Sequence, residues 1–173
     1  MSSITRLRIA RGRAERLATI EGLMQISVTF HATDLRRLAT QYPDLSDHGF
    51  KAGANAPIGV DHLPTINRVA EFLVRHTRPT RAIKQRRGSY AWKHVAEEAI
   101  GVYVPNGVFI ATAILLGHKI KRLPGTNPNC WLNLQSGTDE LHDLIHGRRR
   151  GLLPGFATPA DDELDVNNLG DVA

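Results

Sequence analysis

The clearest hydrophobic pattern in the chain lies in the segment PTINRVAEFLVRH, residues 64–76. Its apolar side chains recur at helical spacing and fall on one face, which consists of Ile66, Val69, Ala70 and Leu73. The charged residues Arg68, Glu71 and Arg75 fall elsewhere around the helix. Pro64 suits a first turn, because its fixed φ is helical and its missing N–H would have no partner there. The pattern predicts an amphipathic helix that begins at Pro64.

Two more helices are predicted downstream. In YAWKHVAEEAIG, Ser89 is the candidate N-cap, Gly101 ends the helix, and the apolar face consists of Trp92, Val95, Ala96 and Ala99. In GVFIATAILLG, Asn106 is the candidate N-cap and Gly117 ends the helix. This second segment is apolar on every side except at Thr112, which is typical of a buried helix. We therefore predict helices over Tyr90–Ile100 and Gly107–Leu116.

A β-hairpin is predicted after these helices. The segments HKIKRL and CWLNL flank PGTNPN, whose Pro, Gly and Asn residues favour a loop between two strands. Lys119–Leu123 should accordingly pair antiparallel with Cys130–Leu134.

The flanking regions carry weaker patterns. Residues 3–22 predict either a helix or a mobile basic arm, and QISVTFH alternates with Ile26, Val28 and Phe30 on one face, which predicts a short strand. TDLRRLATQYPD predicts a helix that is capped by Thr33 or Asp34 and stopped by Pro43, and residues 45–63 resemble a loop. TDELHDLIHG predicts a last helix, and the acidic remainder is expected to be disordered.

The order of elements between residues 64 and 134 is helix, helix, turn, helix and hairpin, which is the order of a winged helix-turn-helix domain. We expect an α+β, mostly helical protein with a winged helix-turn-helix-like core and an N-terminal strand–helix extension. The expected divisions are a basic N-terminal arm or helix at 1–24, a strand–helix unit and loop at 25–63, the core at 64–134, a C-terminal helix at 135–150 and an acidic, disordered tail at 151–173.

The distribution of charge suggests a polyanionic partner. The chain has 22 Lys or Arg residues and 17 Asp or Glu residues, a net charge of +5. Residues 161–173 hold five acids and no base, so removing them leaves +10 on residues 1–160. A basic body with an acidic tail is typical of proteins that bind nucleic acid.

The candidate binding residues are mostly basic. The segment RHTRPTRAIKQRRGSYAWKH, from Arg75 to His94, holds seven Lys or Arg residues and no acid, and its first part resembles a flexible loop. Such loops supply phosphate contacts, and the helix that follows offers its N-terminal N–H groups. Trp131 or Tyr90 could stack on bases, although two core aromatics beside a solvated loop would give the same pattern. The predicted nucleic-acid-binding residues are Arg75, Arg78, Arg81, Lys84, Arg86, Arg87, Tyr90, Lys93, Lys119, Lys121, Arg122 and the N-terminal Arg6, Arg8, Arg11 and Arg13.

Readout of base edges by the third helix is not expected. In helix-turn-helix proteins the helix after the turn enters the major groove and needs polar side chains for that purpose. Here its only polar side chain is that of Thr112. Other segments would have to contact the nucleic acid.

Catalytic and metal-binding signals are weak. His142 and His146 are four residues apart on a predicted helix and resemble half of a zinc site, but Asp143 is shorter than the Glu of zinc peptidases and no third ligand is evident. The sequence has no GxSxG, phosphate loop or GxGxxG, and Cys130 is expected to be a buried, inert thiol. We expect no enzymatic activity, no metal and no cofactor.

Cellular location is inferred from what the chain lacks. Cys130 stands alone, so no intramolecular disulfide can form, and no apolar run approaches the ~20 residues of a membrane span. We expect a cytoplasmic protein without a membrane partner.

The segment SYAWKHVAEEAIGVYVPNGVFIATAILLGHKIKR and the later NCWLNL resemble small uncharacterised proteins of bacterial phages and plasmids. The shared positions are Ser89-Tyr90, Lys93-His94, Glu97, Asn106-Gly107, Phe109 and Ile110. The resemblance carries no assigned activity and implies an accessory protein of a mobile element. We expect a non-enzymatic regulator or accessory protein that binds nucleic acid, most simply duplex DNA; the alternative is an inhibitor or adaptor that docks on a host protein complex.

Overall fold

Five α-helices and two small antiparallel sheets form an α+β fold in the computed structural model, which describes residues 28–51 and 56–156. The helices are α1 (Ala32–Gln41), α2 (Leu63–His76), α3 (Ser89–Ile100), α4 (Asn106–Leu115) and α5 (Asp139–Ile145), and a short 3-10 turn over Val60–His62 precedes α2. The strands are β1 (Leu45–Ser46), β2 (Gly49–Phe50), β3 (Thr77–Gly88), β4 (Ile120–Arg122) and β5 (Cys130–Ser136). The α+β class is confirmed.

The predicted helices and hairpin of the central region are confirmed. Helix α2 has Pro64 in its first turn, and α3 ends at Gly101 with a φ of 72°, in the left-handed region that glycine adopts without strain. Strands β4 and β5 pair antiparallel, with Ile120 opposite Leu132 and Arg122 opposite Cys130. Helical periodicity and turn residues were sufficient signals for these elements.

Three predicted N-caps are wrong, because the residues concerned make other contacts. Gly88 is the N-cap of α3, and the Ser89 hydroxyl instead accepts a hydrogen bond from the backbone N–H of Cys130 at 3.2 Å. Pro105 precedes α4, and the Asn106 side chain donates to the His48 carbonyl oxygen and to Asn129 Oδ1. Helix α1 begins after His31, whose N–H donates to Asp34 Oδ2 at 2.9 Å.

The prediction of an N-terminal strand is also wrong over residues 28–31. Residues 28–31 form no strand, and residues 25–27 lie outside the described part of the chain, as does the predicted basic arm. The presumed loop after α1 contains the β1–β2 hairpin, in which Leu45 pairs with Phe50. Residues 151–156, which we assigned to the tail, lie against the core, since Leu153 and Phe156 are buried.

The basic segment after α2 is strand β3 and not a flexible loop. It pairs with β5, so that the larger sheet has the order β3-β5-β4 with β5 in the centre. Only part of β3 follows regular antiparallel register: residues 80–83 stand opposite Asn133 alone, and residues 85–87 have no partner between the pairs Lys84–Leu132 and Gly88–Trp131. These two bulges conceal the strand in the sequence, because they break the alternation of period two.

The core lies between the helices and one face of this sheet. It includes Phe72, Leu73, Ile100, Phe109, Ile110 and Leu132, all with almost no exposed surface. Helix α4 is buried from Asn106 to Ala113, as its uniformly apolar sequence predicts. The N-terminal elements cover it: Leu38, Leu45 and Phe50 belong to the same core as Phe109, and Phe30 and Leu35 pack with Val108.

The β1–β2 hairpin meets the first turn of α4 backbone to backbone. The N–H of Gly107 donates to the carbonyl oxygen of Asp47 at 2.7 Å. A Cβ atom at Gly107 would lie 1.8 Å from the carbonyl oxygen of Ser46, far inside van der Waals contact. Only glycine therefore allows this approach.

Across the described ranges 28–51 and 56–156, none of the helices has both the length and the apolar character required to cross a bilayer.

Replacing Gly107 by alanine should lower the free energy of unfolding by about 1–3 kcal/mol or more, because the new methyl group must displace hairpin backbone. The matched control is Gly59→Ala, since a Cβ at Gly59 would meet no atom within 4 Å and its φ of −106° suits any residue. Urea denaturation of both variants measures the difference. Equal stabilities of the two variants would contradict the described packing of the hairpin on α4.

Candidate nucleic-acid interface

The three-stranded sheet has one face toward the helices and one face away from them, which we call the outer face. Along β5, Cys130, Leu132 and Leu134 are buried toward the core. Because successive side chains of a strand alternate, Trp131, Asn133 and Gln135 belong to the outer face. Trp131 is half-buried and Gln135 is exposed. The outer face thus carries one aromatic and two amide side chains along its central strand, and of the two amides that of Asn133 is buried.

The two predicted binding residues of β4, Lys121 and Arg122, lie on opposite faces of the sheet. Lys121 pairs with Trp131 on the outer face and places its ammonium 5.7 Å from the centre of the indole ring. Arg122 lies on the inner side, where its guanidinium donates to both carboxylate oxygens of Asp44 at 2.6 and 2.8 Å and lies 3.9 Å from the centre of the Phe50 ring. Lys121 is available to a ligand, whereas Arg122 ties the sheet to the N-terminal hairpin.

Asn133, in the central strand, is hydrogen-bonded to the chain on both sides of it. Its side chain accepts a hydrogen bond from the N–H of Lys119 at 2.8 Å and donates to the carbonyl oxygen of Thr80 at 2.9 Å. The ammonium of Lys119 in turn donates to the carbonyl oxygen of Arg81 at 3.2 Å. A buried amide in the central strand therefore fixes the start of β4 against the first bulge of β3.

The bulges of β3 carry most of its positive charge. Arg81 belongs to the first bulge, Arg86 and Arg87 belong to the second, and Lys84 lies between them with its ammonium 3.0 Å from Gln135 Oε1. Arg87 is half-buried and its guanidinium lies 5.8 Å from the centre of the Trp92 ring. Bulges turn side chains out of the regular pleat, so these cations extend beyond the sheet itself.

Six of the predicted cations are exposed around this face. They are Arg78, Arg81, Lys84, Arg86, Lys119 and Lys121. Strands β3, β4 and β5 and the β4–β5 loop contain no Asp or Glu. Because these strands contain no carboxylate, the exposed cations favour the approach of anions.

Other predicted residues are placed elsewhere. Arg75 lies near the end of α2, is half-buried and is paired with Glu71. Lys93 is almost fully buried and its ammonium lies 2.6 Å from Glu97 Oε1, so it is not an exposed phosphate ligand. Tyr90 is exposed at the start of α3. Arg6, Arg8, Arg11 and Arg13 lie outside the described residues.

The chemically reactive side chains do not converge. The rings of His142 and His146 are 4.3 Å apart on α5, and within residues 28–51 and 56–156 no cluster of three or more His, Cys, Asp or Glu could hold a metal ion. Cys130 is buried, and burial raises the pKa of its thiol to about 12, so the thiolate is not formed at neutral pH.

Four features of this site escaped sequence reasoning, and one of them had a usable local signal. Nothing in the sequence links Asp44 to Arg122, which is 78 positions away, or Asn133 to Thr80, which is 53 positions away. Tyr103 is exposed in the turn after α3 and was not considered. The i,i+4 spacing of Lys93 and Glu97 was a usable signal for an ion pair on one helix face.

Comparison of the chain with protein-family models, with curated proteins and with solved structures finds no match in any of the three.

The contact between Arg122 and Asp44 should make stability depend on acid pH. The hydrogen bonds from Arg122 hold the pKa of Asp44 below its ordinary value. The ionised Asp44 therefore contributes to the free energy of unfolding above the unfolded-state pKa of about 3.9. This contribution is lost as the pH falls through the lower pKa of the folded state. Asp44→Asn should lower the free energy of unfolding by roughly 1 kcal/mol or less at pH 7, because the pair is about one-third exposed.

Denaturant unfolding of the native chain and Asp44→Asn between neutral pH and about pH 2 measures this effect. The difference between them should shrink below about pH 3.9 and then vanish. The exposed Asp61→Asn is the control. A difference that is constant across the whole range would show that the charge of Asp44 contributes nothing to stability.

Proposed function

We propose that this protein is a non-enzymatic, cytoplasmic nucleic-acid-binding protein that acts as a regulator or accessory factor of a bacterial mobile element and contacts duplex DNA. The observation that carries the proposal is the acid-free three-stranded sheet, around which six cations are exposed: Arg78, Arg81, Lys84, Arg86, Lys119 and Lys121. Clustered, exposed cations in strands that contain no acid can supply the phosphate contacts on which such binding depends.

The topology supports a winged-helix-like core for this function. The elements follow the order α2, β3, α3, α4, β4, β5. Strand β3, which precedes α3, pairs with β5 and so adds a third strand to the β4–β5 hairpin. In such a core α4 would be the recognition helix, but it is buried from Asn106 to Ala113 beneath the N-terminal elements. The proposal is therefore a variant in which the sheet and its bulged edge contact the nucleic acid.

Binding of this kind depends on backbone charge more than on base sequence. Arg residues in the bulges can donate two parallel hydrogen bonds to one phosphate, and Lys119 and Lys121 act as point charges. The amides of Gln135 and Asn133 already serve Lys84, Lys119 and Thr80. The geometry favours phosphate contacts that position the chain on DNA over direct readout of base edges.

The protein-docking alternative is favoured by the resemblance to phage and plasmid proteins, and an exposed side of the apolar helix would favour it further. Helix α4 is buried from Asn106 to Ala113, so these residues do not supply such a surface. The exposed cations of the sheet are the observation that favours the nucleic-acid proposal.

The proposal predicts strong salt dependence of binding to duplex DNA. If about five phosphates are neutralised, the slope of log affinity against log salt should be near −4 to −5. Lys121→Ala removes one phosphate contact and should reduce the slope by about 1. Arg122→Ala is the matched neighbour: it should lower stability, because it breaks the Asp44 pair, but should leave the slope unchanged.

Fluorescence anisotropy with a labelled duplex, at salt concentrations where both variants remain folded, measures these slopes. Binding that does not respond to salt, or no binding to DNA at low salt, would refute the proposal. Equal effects of the two variants on the slope would mean that the outer face is not the binding surface.

A further inference from the structure

Two tyrosines form an exposed aromatic pair around one buried lysine. Tyr90 is 54% exposed and Tyr103 is 68% exposed, whereas Lys93 is only 4% exposed. The ammonium of Lys93 lies 5.5 Å from the centre of the Tyr90 ring and 4.8 Å from that of the Tyr103 ring, over both rings. Each ring therefore turns one face toward the same cation while more than half of each residue stays exposed.

A single carboxylate holds this arrangement in place. Glu97 Oε1 accepts hydrogen bonds from the Lys93 ammonium at 2.6 Å and from the N–H of Val104, the residue after Tyr103, at 3.1 Å. Glu97 Oε2 lies 2.6 Å from His94 Nδ1, and the His94 ring meets the Tyr90 ring at 4.6 Å in an edge-to-face contact. Glu97 is thus connected to the surroundings of both tyrosines.

Stability alone does not explain the buried ion pair of Lys93 and Glu97. A buried ion pair contributes little stability relative to apolar side chains of the same volume, because both charges lose their hydration. Isolated exposed aromatics are common on protein surfaces, but these two share one cation. A tyrosine has only two χ angles, so it loses little conformational entropy when a flat ligand stacks on it.

The position of the pair indicates a polyanionic ligand with flat groups. Tyr90 follows the last residue of β3 by two positions, and the cations of the second bulge, Arg86 and Arg87, lie four and three positions before it. A nucleic-acid strand combines phosphates with aromatic bases. In a duplex the faces of the bases are already stacked on one another, so only unpaired bases can use the two rings.

We propose that Tyr90 and Tyr103 stack on unpaired nucleobases of a single-stranded segment whose phosphates lie along the second bulge of β3. The proposal rests on the nucleic-acid-binding function proposed above and adds a binding site for unpaired bases. Stacking of this kind tolerates any base, since every base offers a flat face.

A comparison of strands with and without bases tests the proposal. The probes are a labelled oligothymidine and a labelled oligouridine of about 15 nucleotides, and a strand of equal length made of abasic nucleotides, which keeps the phosphates. The full chain should bind at least one of the two base-containing strands about tenfold or more tightly than the abasic strand. The stronger of the two identifies DNA or RNA as the source of the bases.

The double variant Tyr90→Ala/Tyr103→Ala should bind all three strands with the affinity of the abasic strand and with an unchanged salt slope. Tyr90→Phe/Tyr103→Phe keeps the rings and should keep the preference, and the equally exposed Val60→Ala is the control. Equal affinity of the native chain for all three strands, or a preference that survives removal of both rings, would overturn the inference. In either case duplex binding with a steep salt slope would leave the proposed function standing, whereas loss of all binding would refute both.

Discussion

The hydrogen bond from the N–H of Gly107 to the carbonyl oxygen of Asp47, 2.7 Å long, seats the N-terminal hairpin on the first turn of α4. The contact requires a glycine on one side and brings Leu45 and Phe50 into the core. Helix α4, whose first turn this hairpin meets, is buried from Asn106 to Ala113. A ligand therefore cannot reach the buried side chains of α4, and the six exposed cations of the proposed interface lie on β3, on β4 and just before β4.

Strand β4 links this packing to the proposed interface. Arg122 reaches inward to Asp44 and Phe50 and fastens the hairpin to the sheet, while the adjacent Lys121 lies outward against Trp131. Lys93 and Glu97 make a similar division on α3, because their buried ion pair underlies the exposed Tyr90 and Tyr103. In both places a salt bridge within the fold lies beside side chains that are held at the surface.

Elements that depend on residues close together in the chain were predicted from the sequence, and features that depend on distant residues were not. Helices α2, α3 and α4 and the β4–β5 hairpin depend on local periodicity and turn residues, and all were predicted. The caps of α3 and α4 were not, because Ser89 and Asn106 bond to residues 41 and 58 positions away. Strand β3 was missed because its bulges hide the alternation and its partner β5 is distant in the chain. The ion pair of Lys93 and Glu97 was readable from their i,i+4 spacing.

The two tryptophans of the chain allow a direct test of the central claim, that the outer face of the sheet is the binding surface. Trp131 lies on that face, whereas Trp92 is buried in the core. Heteronuclear NMR of the two indole N–H groups, assigned with a Trp131→Phe variant, should be recorded during titration with DNA at low salt. The account predicts that the Trp131 resonance shifts with saturation and that the Trp92 resonance stays nearly constant. A bound state in which Trp131 is unaffected would contradict it.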